Sequence, residues 1–513
     1  MRAYLTMDGN RRVDDYSINT REIPGQDLMA RAGAETFNAI SMAGLINNDD
    51  PANILIMAGK GNNGGDAFVV GQLLHQHDLN CQILCVPDPE DIKGDAQVHF
   101  HKARQQGVSF HFYSEIKDIT EFFTSASLII DGLLGTGTSG EIRAPYDELI
   151  EAANACGAPI IAIDVPSGVT GDFGETLKPC VQAVLTVSMG YGKMGTLFEP
   201  ARQAAGQRVI VDIGFPEDSH VQINAQPGYE IFPGDFSLNL LSRAPDLHKY
   251  EAGKVLVIAG APGFTGAAVL AARAAQRSGA GLVRLAIPES LGDIVETLSL
   301  ETVVERCPEN RARSFSLKSK AYLLEMAQWA DCVALGPGLG RDPETVELIK
   351  ELIPSIQAPL VLDADGLFAL SENIDILKKR TAPTLLTPHQ GEFKRLMGST
   401  HAATWKMATE FSGQHGCHII LKGAPSVLAC PDGELFINTT GHAGLATGGS
   451  GDVLTGILAG LWSQSTELPE ILALGMVKHS ECADLLREEK GILGLIASDL
   501  IDVLPVVLKE FGV

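Results

Sequence analysis

The chain has 513 residues, of which 45% are hydrophobic and 20% charged, and its formal net charge is −24. This length exceeds what one hydrophobic core usually organises, so we expect two domains. The negative charge argues against nucleic acid or an acidic membrane surface as the main partner, although local backbone N–H groups can still bind a small anion.

The spacing of the cysteines and the hydropathy of the chain indicate where in the cell the protein is expected. The nine cysteines are scattered, and no Cys-x-x-Cys pair occurs, so we expect reduced thiols and a cytoplasmic location. The first 17 residues are polar and charged, unlike a signal peptide. No uninterrupted apolar run of about 18 residues is present, so we expect no membrane span. The large apolar content leaves a homo-oligomer open.

Short β-branched runs alternate with helix-like segments along most of the chain. Their continuous hydrophobicity predicts strands buried on both faces, as in parallel α/β sheets. The candidate strands are residues 53–58, 81–86, 127–131, 159–164, 183–187, 209–213, 254–259, 282–287, 332–335, 360–363, 384–387 and 418–421. We therefore expect an α/β protein of two three-layer αβα domains, 1–225 and 243–513, joined by a Pro/Gly-containing linker at 226–242.

A glycine-rich turn follows the first candidate strand. Residues 58–66 read Ala-Gly-Lys-Gly-Asn-Asn-Gly-Gly-Asp and precede a helix-like run at 67–76. Glycines allow close approach of the backbone to a ligand, and a helix start offers free N–H groups to a phosphate. The segment is neither Gly-x-Gly-x-x-Gly nor a Walker loop. Its amides and carboxylate predict a nucleotide-like site with polar chemistry of its own.

Three further polar segments follow later candidate strands of the first half. Asp131 precedes a glycine-rich loop at 132–141, Asp164 precedes Val-Pro-Ser-Gly, and a third strand leads into 189–193, Met-Gly-Tyr-Gly-Lys. The carboxyl ends of parallel strands share one sheet edge, so these segments should meet in one crevice. Oxygen ligands from Asn63, Asp131 and Ser167, with backbone carbonyls, suit a weakly hydrated cation better than zinc.

In the second half the strongest motif is Thr-Gly-Gly-Ser-Gly-Asp at 447–452, followed by a helical run. Free N–H groups at such a helix start stabilise charge on a transferring phosphoryl group, and Asp452 would act as base toward a substrate hydroxyl. Companion segments follow other strands: 336–340 is Gly-Pro-Gly-Leu-Gly, 387–392 is Thr-Pro-His-Gln-Gly-Glu, and 422–426 is Lys-Gly-Ala-Pro-Ser. The lysine of the last segment suits a phosphate.

The motifs of the first half resemble those of the N-terminal domain of bifunctional NAD(P)H-hydrate repair enzymes, over about residues 1–220. The resemblance implies a Rossmann-like NAD(P)H-hydrate epimerase. It implies that potassium is bound by Asn63, Asp131 and Ser167, and that Asp164 contacts the hydrated ring. Epimerisation of that ring needs a positioned carboxylate to move a proton, and we assign this role to Asp164. The residues implied to hold the hydrated dinucleotide are Asn62, Asn63, Gly64, Gly65, Asp66, Gly135, Thr136, Gly137, Thr138, Ser139, Gly140, Glu141 and Asp164.

The motifs of the second half resemble the ribokinase-like, ADP-dependent dehydratase domain of the same family, over about residues 243–508. The resemblance implies that the S hydrate of NADH or NADPH is dehydrated at the expense of ADP, giving AMP and phosphate, with Asp452 as base and Mg²⁺ accompanying the nucleotide. The implied dinucleotide contacts are Ala267, Gly338, His389 and Asp452. The implied adenine-nucleotide contacts are Lys422, Gly423, Ala424, Pro425, Ser426 and Gly451.

Two other functions fit parts of the sequence. A small-molecule kinase fused to a nucleotide-binding domain would also use the Gly-Ser-Gly-Asp motif, and a stable phosphorylated product would favour it. The segments at 387–392 and 422–426 favour the dehydratase instead. A non-catalytic scaffold would have no need of Asp164 or Asp452. We therefore expect a bifunctional metabolite repair enzyme.

Overall fold

The computed structural model describes residues 1–46, 53–138 and 140–511. The chain divides into two compact units, Arg2–Gly228 and Tyr229–Val513. The segment expected to be a linker, 226–242, contains the strand Gly228–Ile231 and two short 3-10 helices.

The first unit alternates strands with helices. Its strands are β1 (Arg2–Leu5), β2 (Ile54–Ala58), β3 (Cys81–Cys85), β4 (Ser109–Phe112), β5 (Leu128–Gly132), β6 (Ile160–Ile163), β7 (Val169–Thr170), β8 (Glu175–Thr176), β9 (Leu185–Met189), β10 (Gly192–Lys193) and β11 (Gln207–Val211). Its α-helices are α1 (Met7–Asp15), α2 (Gly25–Met42), α3 (Asn62–Gln76), α4 (Gly94–Gln105), α5 (Thr120–Ser125), α6 (Tyr146–Ala155), α7 (Ala201–Ala205) and α8 (Ser219–Gln222). A π-helical turn, Tyr16–Thr20, follows α1.

The main sheet of the first unit has the order β11-β9-β6-β5-β2-β3-β4, with every pair parallel. The chain winds from β2 outward to β4 and then returns to β5 on the other side, so the switch point lies between β2 and β5. Alternate residues of β2 belong to two different core clusters, Ile54 and Ile56 to one and Leu55 and Met57 to the other. The strand is therefore buried on both faces, which explains its continuous hydrophobicity.

The second unit follows the same alternation. Its strands are β12 (Gly228–Ile231), β13 (Lys254–Ile258), β14 (Leu282–Pro288), β15 (Val303–Cys307), β16 (Cys332–Leu335), β17 (Leu360–Leu362), β18 (Thr384–Leu386), β19 (His418–Leu421), β20 (Ser426–Ala429) and β21 (Leu435–Asn438). Its α-helices are α9 (Thr265–Arg277), α10 (Gly292–Leu298), α11 (Lys320–Trp329), α12 (Pro343–Leu352), α13 (Ala364–Ser371), α14 (Gln390–Met397), α15 (Trp405–His415), α16 (Ser450–Trp462), α17 (Glu470–Lys490) and α18 (Ala497–Val507).

The strands of the second unit follow one another in the order β12-β21-β20-β19-β18-β17-β16-β13-β14-β15. Pairs from β19 to β15 are parallel, whereas β19, β20 and β21 form antiparallel pairs. The switch point lies between β13 and β16, where the Gly260 N–H donates to the Pro337 carbonyl at 2.9 Å. A ligand crevice is therefore expected outside the carboxyl ends of these strands.

The expected α/β class is confirmed, and each candidate strand overlaps an observed one. The observed strands that were not predicted are β1, β4, β7, β8, β10, β12, β15, β20 and β21. Two of them, β4 and β15, belong to the parallel parts of the two main sheets. Each is the last strand at one side of its sheet, and their sequences, Ser-Phe-His-Phe and Val-Val-Glu-Arg-Cys, mix polar with apolar residues because an edge strand is partly exposed. Within the described parts of the chain, no helix is long and apolar enough to cross a membrane.

Candidate active sites

The first candidate site lies at the switch point of the first unit. Helix α3 begins at Asn62, earlier than the predicted helix-like run, so the Asn-Asn-Gly-Gly-Asp segment forms its first turn and a half. A Cβ atom at Gly64 would fall far inside contact distance of the Gly59 carbonyl oxygen, and one at Gly65 would collide with Met29. Glycine at both positions therefore lets α3 lie close to α2 and to the loop that follows β2.

A cavity of about 120 Å³ opens beside the start of α3. Five residues assigned from the sequence line it: Asn62, Asn63, Asp66, Thr136 and Asp164. Charged side chains that were not assigned also line it, namely Asp14, Asp95 and Lys193. The predicted convergence of several strand ends on one crevice is therefore observed for these five residues.

The three residues assigned to potassium form a buried polar cluster. Asp131 is 1% exposed and accepts hydrogen bonds from the Ser167 N–H at 2.8 Å and the Ser167 hydroxyl at 2.7 Å. The Asn63 amide donates to the carbonyls of Leu134 and Ile163 at 3.1 and 3.0 Å. Burial raises the pKa of Asp131 to about 6, against the hydrogen bonds from Ser167. No lysine or arginine within the described ranges forms an ion pair with Asp131.

Asp164 is held at the cavity by its backbone and by a lysine. Its φ of 66° is unusual for a residue with a side chain, and its Oδ1 accepts from the Met189 N–H at 3.1 Å. The Lys193 ammonium donates to the same oxygen and to the Tyr191 carbonyl, the latter at 3.1 Å. Lys193 is 2% exposed. The sequence singled out the segment that ends in Lys193 but did not reveal its ion pair with Asp164.

The glycine-rich loop after β5 is partly at the site. A Cβ atom at Gly135 would lie 2.7 Å from the Asn63 Oδ1, and the Thr138 hydroxyl donates to the Gly135 carbonyl at 2.9 Å. Thr136 lines the cavity. The remaining assigned loop residues, Gly137, Gly140 and Glu141, are exposed. Ser139 lies outside the described residues.

The second candidate site is built around the start of α16. Gly449 caps the helix with a φ of 91°, and Asp452 is the third helical residue. Burial, with a further contribution from Asp363, raises the pKa of Asp452 to about 6, while the charge of Lys422 opposes the rise. The predicted carboxylate at a glycine-rich helix start is therefore present, and it is partly shielded from solvent.

A buried aspartate links Asp452's helix to the lysine assigned to the nucleotide. Asp363 is 1% exposed and accepts from the Lys422 ammonium at 2.8 Å and from the Thr455 hydroxyl of α16 at 2.7 Å. Burial alone would lower the pKa of Lys422, but the charges of Asp363, Glu392 and Asp452 raise it. A Cβ atom at Gly451 would lie 3.3 Å from the Lys422 Nζ, so these two assigned residues are neighbours.

Asp363 was not assigned from the sequence. It is the last residue of a candidate strand, which was the available signal. Because β17 and β19 both neighbour β18, the aspartate and Lys422 come from strand ends two places apart in the sheet.

The remaining assigned residues of the second unit lie at neighbouring strand ends. His389 caps α14, and its Nδ1 accepts a hydrogen bond from the Gly391 N–H at 2.9 Å. The backbone of His389 forms an isolated parallel β-bridge with that of Lys422. Its side chain is 61% exposed, so its Nε2 can reach a ligand. Gly338 packs on α9, where a Cβ atom would lie 3.1 Å from the Ala267 Cβ.

The turn after β19 contains the other residues assigned to the nucleotide. The Ser426 hydroxyl donates to the Gly423 carbonyl at 2.9 Å, which closes the turn into β20. Gly423 and Ala424 are exposed, whereas Pro425 is buried. The backbone of the turn is therefore open to a ligand beside Lys422.

Comparison with known sequences identifies the family. Residues 25–195 match the family described as YjeF-related protein N-terminus, and residues 255–506 match NAD(P)H-hydrate dehydratase. A bifunctional NAD(P)H-hydrate repair enzyme Nnr of Moorella thermoacetica is 36% identical over 97% of this chain and 95% of its own length. The corresponding protein of Thermofilum pendens is 33% identical over 97% and 96%. The chain belongs to the bifunctional NAD(P)H-hydrate repair enzyme family.

Two solved structures each match about half of this chain. An ADP/ATP-dependent NAD(P)H-hydrate dehydratase of Bacillus subtilis, co-crystallised with ATP/Mg²⁺, is 30% identical, with a TM-score of 0.46 over 53% of this chain and 95% of that one. A ribokinase-like superfamily protein of Enterococcus faecalis is 26% identical, with a TM-score of 0.49 over 55% and 96%. The family and enzyme class expected from the motifs are confirmed by the two family matches and the full-length relatives.

Proposed function

We propose that the first domain, 1–225, interconverts the R and S hydrates of NADH and NADPH, and that the second, 243–513, dehydrates the S form at the expense of ADP. The observation that carries the proposal is the arrangement at the start of α16. A carboxylate suited to act as a base, Asp452, lies at a helix N-terminus whose Gly451 adjoins the Lys422 ammonium. A base and an anion-binding group in one place are what phosphoryl transfer to a hydroxyl requires.

In the first unit the proposed reaction takes place at the ring carbon that carries the added hydroxyl. That carbon adjoins the ring nitrogen, so its configuration can invert by reversible bond cleavage. Asp164 is the proposed proton-transfer group, because two donors hold its Oδ1 at the cavity wall. The start of α3 and the loop after β5 would hold the rest of the dinucleotide.

The buried cluster of Asn63, Asp131 and Ser167 fits a potassium ion. Its available ligand atoms are oxygens, and the Asp131 carboxylate is buried without a cationic partner in the part of the chain that the structure describes. A monovalent cation would neutralise that charge, which burial otherwise disfavours. Bound there, potassium would stabilise the loop after β5 and the Asp164 segment, since Ser167 and Asn63 contact both.

In the second unit Asp452 would take the proton of the substrate hydroxyl. The hydroxyl oxygen then attacks the β-phosphorus of ADP, and the bond between the phosphorus and the bridging oxygen breaks to release AMP. The phosphate ester next leaves as inorganic phosphate while the neighbouring ring carbon loses a proton, which restores the dihydronicotinamide ring. Lys422 and the backbone of 422–426 and Gly451 would bind the nucleotide, with Mg²⁺ supplying charge neutralisation at its phosphates.

The cellular setting is also part of the proposal. All nine cysteines are free, which supports the cytoplasmic location expected from their spacing. The absence of nucleic-acid and membrane partners and a homo-oligomeric state stay predictions.

A mixture of R and S NADH hydrates tests the proposed function directly. With ADP, Mg²⁺ and K⁺, the dihydronicotinamide absorbance should recover completely in two phases, a fast one for the S form and a slower one for the R form. Asp164→Ala should retain only the fast phase, and Asp452→Asn should lose both. No ADP-dependent recovery would refute the dehydratase, and a stable phosphorylated product would identify a kinase instead.

A further inference from the structure

Among the aspartates that line the first cavity, Asp66 is the one that is both buried and without a side-chain partner in the described residues. Its side chain lines the cavity from α3, and the residue is only 6% exposed. Within the described ranges its carboxyl group has no hydrogen-bond or ion-pair partner, and the same is true of Asp14 and Asp95, which are exposed. Asp164 lines the same cavity but has two donors on its Oδ1, from Lys193 and from Met189. The cavity thus contains one buried carboxyl group without a partner, Asp66, and one whose oxygen is held by two donors, Asp164.

The surroundings of Asp66 disfavour its ionised form. The other charged residues that line the cavity are Asp14 of α1, Asp95 at the start of α4, Asp164 just after β6 and Lys193 of β10. Burial raises the pKa of Asp66 well above its usual range, with further contributions from Asp164 and Asp14 that outweigh Lys193. The donors on Asp164 fix the orientation of its carboxylate instead. Two carboxyl groups with such different partners on one cavity wall can supply an acid and a base to one site.

We propose that Asp66 is the proton donor of the epimerase site and that it acts on the hydroxyl of the hydrated nicotinamide ring. The inference rests on the proposed function of the first domain and deepens it. Asp66 gives its proton to the hydroxyl oxygen, the carbon–oxygen bond breaks, and water leaves. The lone pair of the ring nitrogen forms the carbon–nitrogen double bond that stabilises the resulting cation.

The second half-reaction needs a base on the same cavity wall. A water molecule adds to the opposite face of the cation, a new carbon–oxygen bond forms, and the proton of that water passes to Asp164. Both carboxyl groups regain their starting states by proton exchange with solvent. The reverse epimerisation uses the two groups with their roles exchanged. Lys193 positions Asp164 throughout by holding Oδ1.

A purely binding role for Asp66 leads to different kinetics. If its carboxyl only held the substrate, Asp66→Asn would raise KM and leave kcat unchanged. If it donates the proton, the same variant would lower kcat by at least about 100-fold with KM nearly constant. Asparagine has the shape of aspartic acid but cannot donate an acidic proton, so it separates the two roles.

The test uses the full-length protein and mixed NADH hydrates with ADP, Mg²⁺ and K⁺. The slow phase of recovery reports epimerisation, and the fast phase reports the second domain as an internal control. Asp66→Asn should lose the slow phase down to the uncatalysed rate, and Asp66→Glu should restore part of it. Asp78→Asn, an exposed aspartate just after the same helix, should match the wild type in both phases.

A second readout follows the oxygen atom. In isotopically labelled water, each wild-type epimerisation should place one solvent oxygen in the hydrate hydroxyl, and Asp66→Asn should suppress this exchange. Epimerisation without exchange would overturn the proposed loss of water. If Asp66→Asn does not fold, the wild-type pH profile decides, because kcat must fall as pH rises through the pKa of Asp66. A wild-type kcat that does not fall at alkaline pH overturns the proposal.

The outcomes separate this proposal from the function on which it rests. A wild type with a fast phase and no catalysed slow phase would overturn the epimerase assignment itself. A wild type with both phases and an Asp66→Asn variant of near-normal kcat would overturn only the role of Asp66.

Discussion

Gly456 lies where α16 crosses α9, one turn after Asp452, and its replacement by alanine links packing to catalysis. A methyl carbon at this position would collide with the Ala271 carbonyl oxygen. Real Cβ atoms essentially never come closer than 3.0 Å to another heavy atom, and this contact would be about 1 Å too short. Gly460, one turn further along α16, is packed in the same way, 2.6 Å separating its would-be Cβ from the Ala275 carbonyl oxygen. The two helices must therefore separate to accept a side chain.

Two opposing terms set the size of the effect. Alanine in place of glycine favours a helix by about 1 kcal/mol. Overpacking against a backbone atom that cannot rotate away costs about 3 kcal/mol, the upper end of the usual range. We therefore expect Gly456→Ala to destabilise the second unit by about 2 kcal/mol, which lowers its Tm by roughly 4–8 °C. Displacement of Asp452 by about 1 Å should lower the dehydration kcat by up to about 100-fold.

Thermal unfolding and AMP formation measure the two effects. Gly413→Ala is the matched control, because Gly413 also lies within a helix, α15, but is exposed, and its would-be Cβ is 3.8 Å from the nearest atom, the Pro431 carbonyl oxygen. This variant should keep full activity and gain up to about 1 kcal/mol. A Gly456→Ala protein as stable and active as the wild type would refute the packing argument.

Two further predictions concern the acid and cation sites. Because burial raises the pKa of Asp452 to about 6 and a base must be ionised, kcat/KM for dehydration, measured as AMP formation, should fall about tenfold per pH unit below that value. If kcat/KM began to fall only near pH 4, about the usual pKa of an aspartate, this prediction would be wrong. We compare potassium with tetramethylammonium at equal ionic strength. When the potassium concentration is about ten times its Kd, the free energy of unfolding of the first unit should rise by about 1.4 kcal/mol. The gain, read from thermal unfolding, should vanish in Asp131→Asn and persist in Asp78→Asn; equal gains in both variants would count against the cation site.

Much of the framework was predictable because its signals are local. Apolar runs of four to six residues located the candidate strands, and polar or glycine-rich segments after them located the sheet edge. Asp131 and Ser167, assigned together from motifs that lie 36 residues apart, are in direct hydrogen-bond contact. The start of α3 was placed too late because two successive glycines resemble a loop, whereas here they allow a helix to pack closely against its neighbours.

The sequence by itself determined the α/β class, the family and the segments that carry chemistry, since each depends on patterns within a few residues. Only the tertiary structure decided which charged groups meet. Lys193 pairs with Asp164 from 29 residues away, and Asp363 joins Lys422 and Thr455 from 59 and 92 residues away. These pairings follow from strand order and from the approach of α16 to the sheet. Strand order is set by packing of the whole unit, so no local pattern of residues encodes it.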